Sequence, residues 1–172
     1  MVKVTLNKEI DWTSIGIDPG KEGFITVMRR EDIKFYPVPK VGDRFDEQGL
    51  AKLVLEILET CDMRYTIVTI EDVHAIHGAS AQGTFNFGAV VYSLRMAFIM
   101  AGLPLHPVAP KKWQKEMYEG IKAHPDKKVM SVLAAQRLFP DLDLRRTPKC
   151  KKPDDNLTDS LLIAEYGRRN FL

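Results

Sequence analysis

The sequence predicts a single α/β domain built on a five-stranded mixed sheet with helices on both faces. Three short apolar segments separated by polar turns open the chain, which predicts three antiparallel strands over residues 14–38. Helical and extended patterns alternate after them, which adds further strands to the same sheet. A length of 172 residues suits one domain, 1–172, and is too short for two ordinary ones.

The first half of the chain supplies the three-stranded part of the sheet. Residues 14–17 form a buried strand that ends at Asp18-Pro19-Gly20, and a polar turn leads into a second strand over 24–28. The third strand covers 33–38 and stops at its prolines. Asp46 is then the expected N-cap of a helix, whose apolar face carries Leu50, Leu53, Val54, Ile57, Leu58 and Cys61.

The second half alternates strands and helices. Residues 65–71 are β-branched and almost unbroken, as expected for a central strand covered on both faces, and they end in Glu71. A polar loop over 74–88 precedes an apolar helix over 89–101, and an edge strand follows over 103–108. Prolines 110 and 125 each suit the first turn of a helix. The remaining elements are helices over 111–117 and 126–139, a loop over 141–153 and a last helix over 155–169.

The composition excludes several classes of protein. Hydrophobic residues at 45% and charged residues at 28% are typical of a globular chain and exclude a fibrous or linker role. Cys61 and Cys150 are too few for a disulfide framework or a four-cysteine zinc site. The most apolar stretch, 89–100, is too short to span a bilayer, and no signal-peptide pattern opens the chain. We expect a cytoplasmic protein without a membrane partner.

The charges are unevenly distributed. Between His106 and Lys152 there are 12 Lys/Arg and 5 Asp/Glu, which leaves 13 and 18 for the rest of the chain. A basic region and a separate acidic cluster suit an enzyme that cuts a polyanion, because cations hold phosphates and carboxylates hold metal. The alternative is a solvated basic face without a specific function.

Three carboxylates stand on three separate elements: Asp18 and Glu71 end strands, and Asp159 lies in the last helix. If the two strands are neighbours, Asp18 and Glu71 lie side by side at one edge of the sheet, and the last helix completes an acidic cluster. Divalent cations relieve the repulsion in such a cluster. Two Mg²⁺ ions roughly 4 Å apart can then promote phosphodiester hydrolysis. Asp18 could alternatively be an ordinary turn residue.

Helical spacing selects candidates for a fourth ligand. Asp155 and Asn156 lie four and three residues before Asp159 and share its face, whereas Asp154 is turned away by roughly 140°. Asp155 is the first choice and Asn156 the second. Asp155 could alternatively serve as the N-cap of the last helix.

Five segments in order resemble the RuvC-like Holliday-junction resolvases of the RNase H-like superfamily, especially their phage and organelle relatives. The segments are Ser14-Ile-Gly-Ile-Asp-Pro-Gly20, Ile70-Glu71, Tyr92-Ser-Leu-Arg95, Pro107-Val-Ala-Pro-Lys-Lys-Trp113 and Asp159-Ser-Leu-Leu-Ile-Ala164. Each is weak alone, but their order and spacing are specific. The resemblance covers residues 14–169 and implies the RNase H-like fold.

The resemblance also implies site residues, cofactors and partners. Asp18, Glu71 and Asp159 would be catalytic metal ligands, and Asp155 or Asn156 would stand where the family has an Asp or a His. Two Mg²⁺ ions per active site are implied, with Mn²⁺ able to substitute. A homodimer would bind a four-way DNA junction and make two symmetric nicks that leave 3′-hydroxyl and 5′-phosphate ends. The implied location is the cytoplasm of a bacterial or phage-infected cell, or an organelle matrix.

Basic and aromatic residues are the candidates for DNA contact. The resemblance places an aromatic wedge in the loop after Glu71, where Phe85 or Phe87 would open the junction or anchor the loop. Trp113 either stacks on DNA or packs in the core, and the helix over 89–100 supplies the core or a dimer face. The basic candidates are Lys111, Lys112, Lys115, Lys127, Lys128, Arg145, Arg146, Lys149, Lys151 and Lys152.

Three other functions compete with junction resolution. A related nuclease could cut flaps, forks or RNA–DNA hybrids, because branch geometry is not encoded in these motifs. A DNA-binding module with a decayed site would follow if the fourth ligand were missing. An actin-like ATPase fragment is disfavoured because 172 residues leave no second lobe to close over a nucleotide. His74 and His77 are interpreted as polar loop residues.

Overall fold

The computed structural model describes residues 11–30, 32–74, 78 and 80–172. The first ten residues and His77 lie outside the described residues. Its strands are β1 (Thr13–Asp18), β2 (Phe24–Arg29), β3 (Ile33–Pro37), β4 (Lys40–Val41), β5 (Arg44–Phe45), β6 (Thr66–Glu71) and β7 (Leu105–Val108). Its helices are α1 (Glu47–Leu58), α2 (Ala81–Met100), α3 (Pro110–Met117), α4 (Lys127–Leu138) and α5 (Asp155–Phe171).

The main sheet has the strand order β3-β2-β1-β6-β7. β1, β2 and β3 pair antiparallel, whereas β6 runs parallel to both β1 and β7. The predicted five-stranded mixed sheet is therefore confirmed, with β7 at an edge as its prolines require. Strands β4 and β5 form a separate short hairpin that the sequence did not predict.

Alternation along the strands divides the core into two layers. Ile15 and Ile17 of β1 pack with α1 and α2 on one side of the sheet. Gly16 faces the other side, where it meets the backbone of α5. α3, α4 and α5 supply most of the second apolar cluster there. Helices thus cover both faces, and residues of even number in β1 point toward α5.

α5 packs unusually close to β1, since Gly16 leaves no side chain between them. Ser14 Oγ donates to the carbonyl oxygen of Ala164 at 2.7 Å, and the Thr26 and Ser160 hydroxyls are also 2.7 Å apart. Gly167 lies against Thr69 in the same way. These contacts fix both the distance of α5 from the sheet and its register along β1.

α2 begins eight residues earlier than predicted, at Ala81 instead of residue 89. Ser80 caps it by accepting the backbone N–H of Gly83 at 3.0 Å. Gly83 and Gly88 made this segment resemble a loop because glycine lowers helix propensity, but the cap and tertiary packing override that preference. The prediction that Phe85 and Phe87 belong to a flexible loop is wrong: both lie in the first turns of α2.

Other element boundaries differ by smaller amounts. β7 begins at Leu105 and not at residue 103. Pro125 precedes the N-cap Asp126 of α4 and so lies outside the first turn. The predicted cap at Asp46 is confirmed, since its side chain accepts the N–H of Gly49 at 2.9 Å. Among the helices of the described residues, none has the length and hydropathy needed to cross a membrane.

We expect Gly16→Ala to destabilise the fold, because the added methyl group would overlap the backbone of Ser160 and Ala164. Displacement of α5 should lower the free energy of unfolding by about 1–3 kcal/mol or more. The matched control is Gly88→Ala in α2, where no described atom lies within 4 Å of the new carbon. That change should be neutral or stabilise by up to about 1 kcal/mol. Thermal unfolding measures both, and equal melting temperatures would contradict the close packing.

Candidate metal centre

Asp18 and Glu71 end two neighbouring parallel strands. Ile17 of β1 pairs with Ile70 of β6, so the next residue of each strand, a carboxylate in both cases, lies at the same edge of the sheet. Both side chains point toward the α5 side. Asp72, one residue further, lies near Arg95 of α2 at 3.7 Å and so faces the opposite side, as the alternation predicts.

Asp159 comes to the same edge from α5. It directly precedes Ser160, whose backbone meets Gly16, and it is half-buried. Ser131 of α4 donates a short hydrogen bond to Asp159 Oδ1 and lies 2.9 Å from the Thr158 hydroxyl. Close packing of α5 on β1 therefore brings the third carboxylate of the sequence prediction into the cluster.

The carboxylates repel one another in a partly desolvated site. Burial, and next to it the charges of Asp159, Glu71 and Asp155, raise the pKa of Asp18 well above its ordinary value. Burial also raises the pKa of Asp159 to about 7, with Glu71 and Asp155 adding to the effect. Carboxylates in such surroundings hold protons or cations more readily than ordinary ones. The cluster therefore carries negative charge that the protein compensates only in part.

Trp113 of α3 is a member of this site that the sequence left undecided. Its ring is fully buried, and Nε1 donates to Glu71 Oε1 at 2.9 Å. Burial raises the pKa of Glu71, and the Trp113 hydrogen bond and the charge of Lys127 oppose that shift. Tyr118 packs edge-on against Trp113 at 5.8 Å. Trp113 therefore belongs to the core and also holds Glu71 in place.

Ser131 and Tyr118 were missed by the sequence prediction. Burial and the charge of Asp159 raise the pKa of the Tyr118 hydroxyl, while a hydrogen bond with Ser131 opposes the shift. Nothing in the sequence distinguishes these two from ordinary helix and turn residues. Their role follows only from the way α3 and α4 pack beside α5.

The start of α5 separates the candidates for a fourth ligand. Asp154 is the N-cap and accepts the backbone N–H groups of Asn156 at 3.1 Å and Leu157 at 3.2 Å. Asp155 Oδ2 lies 2.5 Å from Lys128 Nζ, and its charge contributes to the raised pKa of Asp18 and of Asp159. These contacts favour Asp155 over Asn156.

The donor set fits a hard divalent cation in chemistry and charge, since it consists of carboxylate oxygens under mutual repulsion. Within the described ranges, however, no three Asp, Glu, His or Cys side chains are grouped closely enough to hold a metal ion together. Three of the four carboxylates have a protein partner instead: Glu71 has Trp113, Asp159 has Ser131 and Asp155 has Lys128. Side-chain movement has to precede joint coordination.

The two predicted arginines form ion pairs within the protein, and the predicted lysines are exposed, Lys128 among them although it pairs with Asp155. Arg145 pairs with Asp143 at 2.8 Å and also donates to the Pro148 carbonyl oxygen at 3.2 Å. Arg146 binds Asp154 at 2.6 Å and Glu22 at 3.1 Å. These two arginines therefore help to hold the loop before α5. The lysines are exposed: Lys111, Lys112, Lys115, Lys127, Lys128, Lys149, Lys151 and Lys152.

The two candidate wedge residues line a surface pocket. Phe85 is 73% exposed, whereas Phe87 is half-buried and lies close to Gly20 in the turn after β1. With Lys21 and Arg44 they line a pocket of about 920 Å³ between α2 and the β4–β5 hairpin. Asp43 and Glu47 line the pocket as well, so the exposed ring of Phe85 lies beside charges of both signs.

Because the pKa of Asp18 is raised, its ionised form destabilises the folded state at neutral pH. We therefore expect Asp18→Asn to raise the melting temperature in the absence of divalent metal, because it removes the buried charge. Ca²⁺ should stabilise the wild type and leave the variant unchanged.

The control for this prediction is Asp43→Asn, a 95% exposed carboxylate that lies 3.6 Å from Lys21. It should leave both the melting temperature and the Ca²⁺ response as in the wild type. If Asp18→Asn lowered the melting temperature, and Ca²⁺ stabilised this variant as much as the wild type, the proposed repulsion would be contradicted.

Comparison with known proteins identifies the fold. No family model and no curated protein sequence matches the chain. Among solved structures, RuvC of T. thermophilus in complex with Holliday junction substrate matches with a TM-score of 0.59 and 18% identity, over 89% of this chain and 90% of that one. A second Thermus thermophilus RuvC structure matches with a TM-score of 0.56 and 18% identity, over 91% and 95%. The chain therefore has the RNase H-like fold of RuvC.

Proposed function

We propose that this protein is a divalent-metal-dependent endonuclease that resolves four-way DNA junctions by paired, symmetric nicks. The observation that carries the proposal is the meeting of Asp18, Glu71 and Asp159, from three separate elements, in one partly buried cluster. The fold supports it, since a solved structure with the same architecture is a RuvC in complex with Holliday junction substrate.

Asp18, Glu71 and Asp159 would hold Mg²⁺, with Asp155 as the fourth group and Asn156 as its alternative. We infer two Mg²⁺ ions per site, with Mn²⁺ as a substitute. When bound, such ions activate a water molecule and stabilise the leaving oxygen in phosphodiester hydrolysis. Their charge would also offset the mutual repulsion that, next to burial, raises the pKa of Asp18 and Asp159.

Neighbouring residues orient three of the carboxylates by binding one oxygen of each. Trp113 fixes one oxygen of Glu71 and leaves the other available, and Ser131 does the same for Asp159. Lys128 binds Oδ2 of Asp155 and likewise leaves Oδ1 available. A cation bound at Asp155 would weaken this ion pair, and Lys128 would then be free to bind a DNA phosphate, since Lys is an effective phosphate ligand.

Exposed cations beside the cluster supply the proposed DNA surface. The charge of Lys127, at the start of α4, acts to lower the pKa of Glu71. Lys149, Lys151 and Lys152 lie just before α5. Lys111, Lys112 and Lys115 extend the surface along α3. Phe85 is the better placed of the two aromatic residues to unstack bases, because it is exposed whereas Phe87 packs against the turn after β1.

We infer that two copies associate through α2. Val90, Leu94 and Phe98 of this helix pack in the core. The opposite side presents a second apolar stripe, which consists of Tyr92, Met96 and Ile99 and is 47% to 66% exposed. Exposed apolar stripes of this kind mark interfaces. Core and dimer face, the two alternatives for this helix, would then each be served by one of its sides. A homodimer would place one active site on each of two opposing DNA strands of the junction.

Cleavage of labelled four-way junction, flap, fork, RNA–DNA hybrid and linear duplex in Mg²⁺ tests the function. We expect paired symmetric nicks in the junction alone, and binding without cleavage in Ca²⁺. Asp18→Asn should abolish cleavage and preserve junction binding, because it removes a metal ligand and no phosphate contact. Asp43→Asn should cleave as the wild type does.

The other outcomes of that assay each contradict a different part of the proposal. Cleavage of flaps, forks or hybrids in place of the junction would keep the metal site and replace the function with a nuclease of broader specificity. Junction binding without cleavage in Mg²⁺ and in Mn²⁺ would mean a decayed site in a DNA-binding module. Loss of binding in Asp18→Asn would contradict its role as a metal ligand.

Charge placed on the apolar stripe of α2 should separate the two copies. We expect Tyr92→Glu and Met96→Glu to convert a dimer into a monomer in sedimentation experiments, because each buries a charge in an apolar interface. Leu55→Glu on α1, where the leucine is 62% exposed, is the matched control and should remain dimeric. A wild-type monomer at micromolar concentration, or a dimer that survives both changes, would exclude this interface.

A further inference from the structure

Arg146 connects the two parts of the chain that carry the carboxylates Asp18 and Asp159. Its Nε donates to Asp154 Oδ2 at 2.6 Å, and its two terminal nitrogens donate to Glu22, one to Oε2 and one to the backbone carbonyl oxygen, both at 3.1 Å. Glu22 lies in the turn between β1 and β2, and Asp154 is the N-cap of α5. One side chain thus ties the turn after Asp18 to the start of the helix that carries Asp159.

The turn end of this connection lies close to Asp18, since Glu22 comes only four residues later. The turn between them is compact: a backbone hydrogen bond of 3.1 Å closes it, and a side chain at Gly23 would overlap the carbonyl oxygen of Asp18. Asp18 pairs with Phe24 in the hairpin, and the guanidinium of Arg146 lies 4.9 Å from the centre of the Phe24 ring. Arg146 therefore contacts the residues on both sides of Gly23, and one of them is the strand partner of Asp18.

At the other end of the connection, Asp154 directly precedes Asp155 and caps the helix that carries Asp159. Its Oδ1 accepts two backbone N–H groups of the first turn at 3.1 and 3.2 Å, and its Oδ2 accepts from Arg146. Both oxygens of a side chain that is only 15% exposed are thus engaged. The charge of Asp154 also contributes to the raised pKa of Asp18, so this cap lies next to the acidic cluster.

The contacts of Arg146 use the shape of a guanidinium as well as its charge. Three nitrogens fixed in one plane serve three acceptors, two on Glu22 and one on Asp154. The single nitrogen of a lysine cannot donate in these three directions at once. A DNA phosphate would have to displace one of the acceptors. Arg146 therefore suits a role inside the protein better than the phosphate contact that its basic loop suggested.

We propose that Arg146 is a positioning residue of the metal centre, which holds the turn after Asp18 at a fixed distance from the start of α5. The inference rests on the proposed function, since it takes the carboxylates to be metal ligands. Repulsion among Asp18, Asp155 and Asp159 favours separation of the elements that carry them. Within the described residues the carboxylate side chains have to move before they coordinate a cation jointly, so other contacts must hold the backbone. Replacement of residues that orient metal ligands typically changes metal affinity roughly 10–100-fold.

The test is isothermal titration of the full-length protein with Ca²⁺ in the absence of DNA. Arg146→Lys keeps the positive charge and loses the planar fork, whereas removal of the charge would by itself favour a cation nearby. We expect Ca²⁺ to bind roughly tenfold more weakly to this variant. The matched control is Arg64→Lys, because Arg64 binds both oxygens of Asp62 at 3.0 and 2.6 Å and precedes β6 at the end opposite Glu71. This control should bind Ca²⁺ as the wild type does.

Junction binding and cleavage separate positioning from DNA contact. In EDTA, Arg146→Gln and the wild type should show the same dependence of junction binding on salt, because no phosphate contact is lost. Arg146→Lys should need more Mg²⁺ for half-maximal cleavage and approach the wild-type rate at saturating Mg²⁺. A double-variant cycle tests the connection itself: Glu22→Gln should weaken Ca²⁺ binding in the wild-type background and have little further effect in Arg146→Lys.

Three results would overturn the inference. Equal Ca²⁺ affinity of Arg146→Lys and the wild type, or additive effects of Glu22→Gln and Arg146→Lys, would mean that the connection does not position the carboxylates. A salt slope of junction binding that falls by about one in Arg146→Gln, with unchanged Ca²⁺ affinity in Arg146→Lys, would identify a phosphate contact. Absence of Ca²⁺ binding in the wild type would contradict the proposed function, and this inference with it.

Melting temperatures establish that the variants are folded. If Arg146→Lys unfolds at the temperature of the titration, Glu22→Gln breaks the same connection at a side chain that is 45% exposed. Asp43→Asn then controls for the lost carboxylate charge, since Asp43 is an exposed residue in the turn of the β4–β5 hairpin. Weaker Ca²⁺ binding in Glu22→Gln than in Asp43→Asn would support the inference, and equal binding would overturn it.

Discussion

The approach of α5 to β1 is the contact on which the arrangement of the molecule depends. Gly16 has no side chain, so the backbone of α5 comes against the strand at Ser160 and Ala164. Asp159 is carried by that contact to the edge where Asp18 and Glu71 already lie side by side. A helix held one side chain further from the sheet would leave the strand carboxylates without their third member. The absence of a side chain at Gly16 is therefore needed both for the close packing of α5 and for the position of Asp159.

The acidic cluster shows how a fold can hold charges that repel each other. Glu71, Asp159 and Asp155 each have one nearby partner, supplied by α3 and α4. These partners compensate only part of the charge, since burial and mutual repulsion still raise the pKa of Asp18 and Asp159. The apolar core beneath the cluster supplies the stability that permits such a site. Carboxylates with strongly raised pKa values are typical of functional sites.

The strands, the faces of the sheet and the strand carboxylates could be predicted because each follows from a pattern of period two and from strand ends. The start of α2 could not, because Gly83 and Gly88 signal a loop and only the Ser80 cap and tertiary packing override them. Ser131 and Tyr118 gave no local signal, since their role depends on where α3 and α4 lie. The sequence also did not reveal the ion pairs of Arg145 and Arg146, because they depend on how the loop before α5 folds.

The burial of α5 also has a consequence for synthesis of the protein on the ribosome. Its contact with β1 joins residues 150 positions apart, as in the hydrogen bond from Ser14 to Ala164. Contacts between such distant residues form late in folding, since the intervening chain has to be ordered first. The α5 side of β1 therefore stays exposed to solvent and chaperones until translation reaches the last helix. A nascent chain that stops before Asp159 has neither a closed core nor the third carboxylate of the cluster.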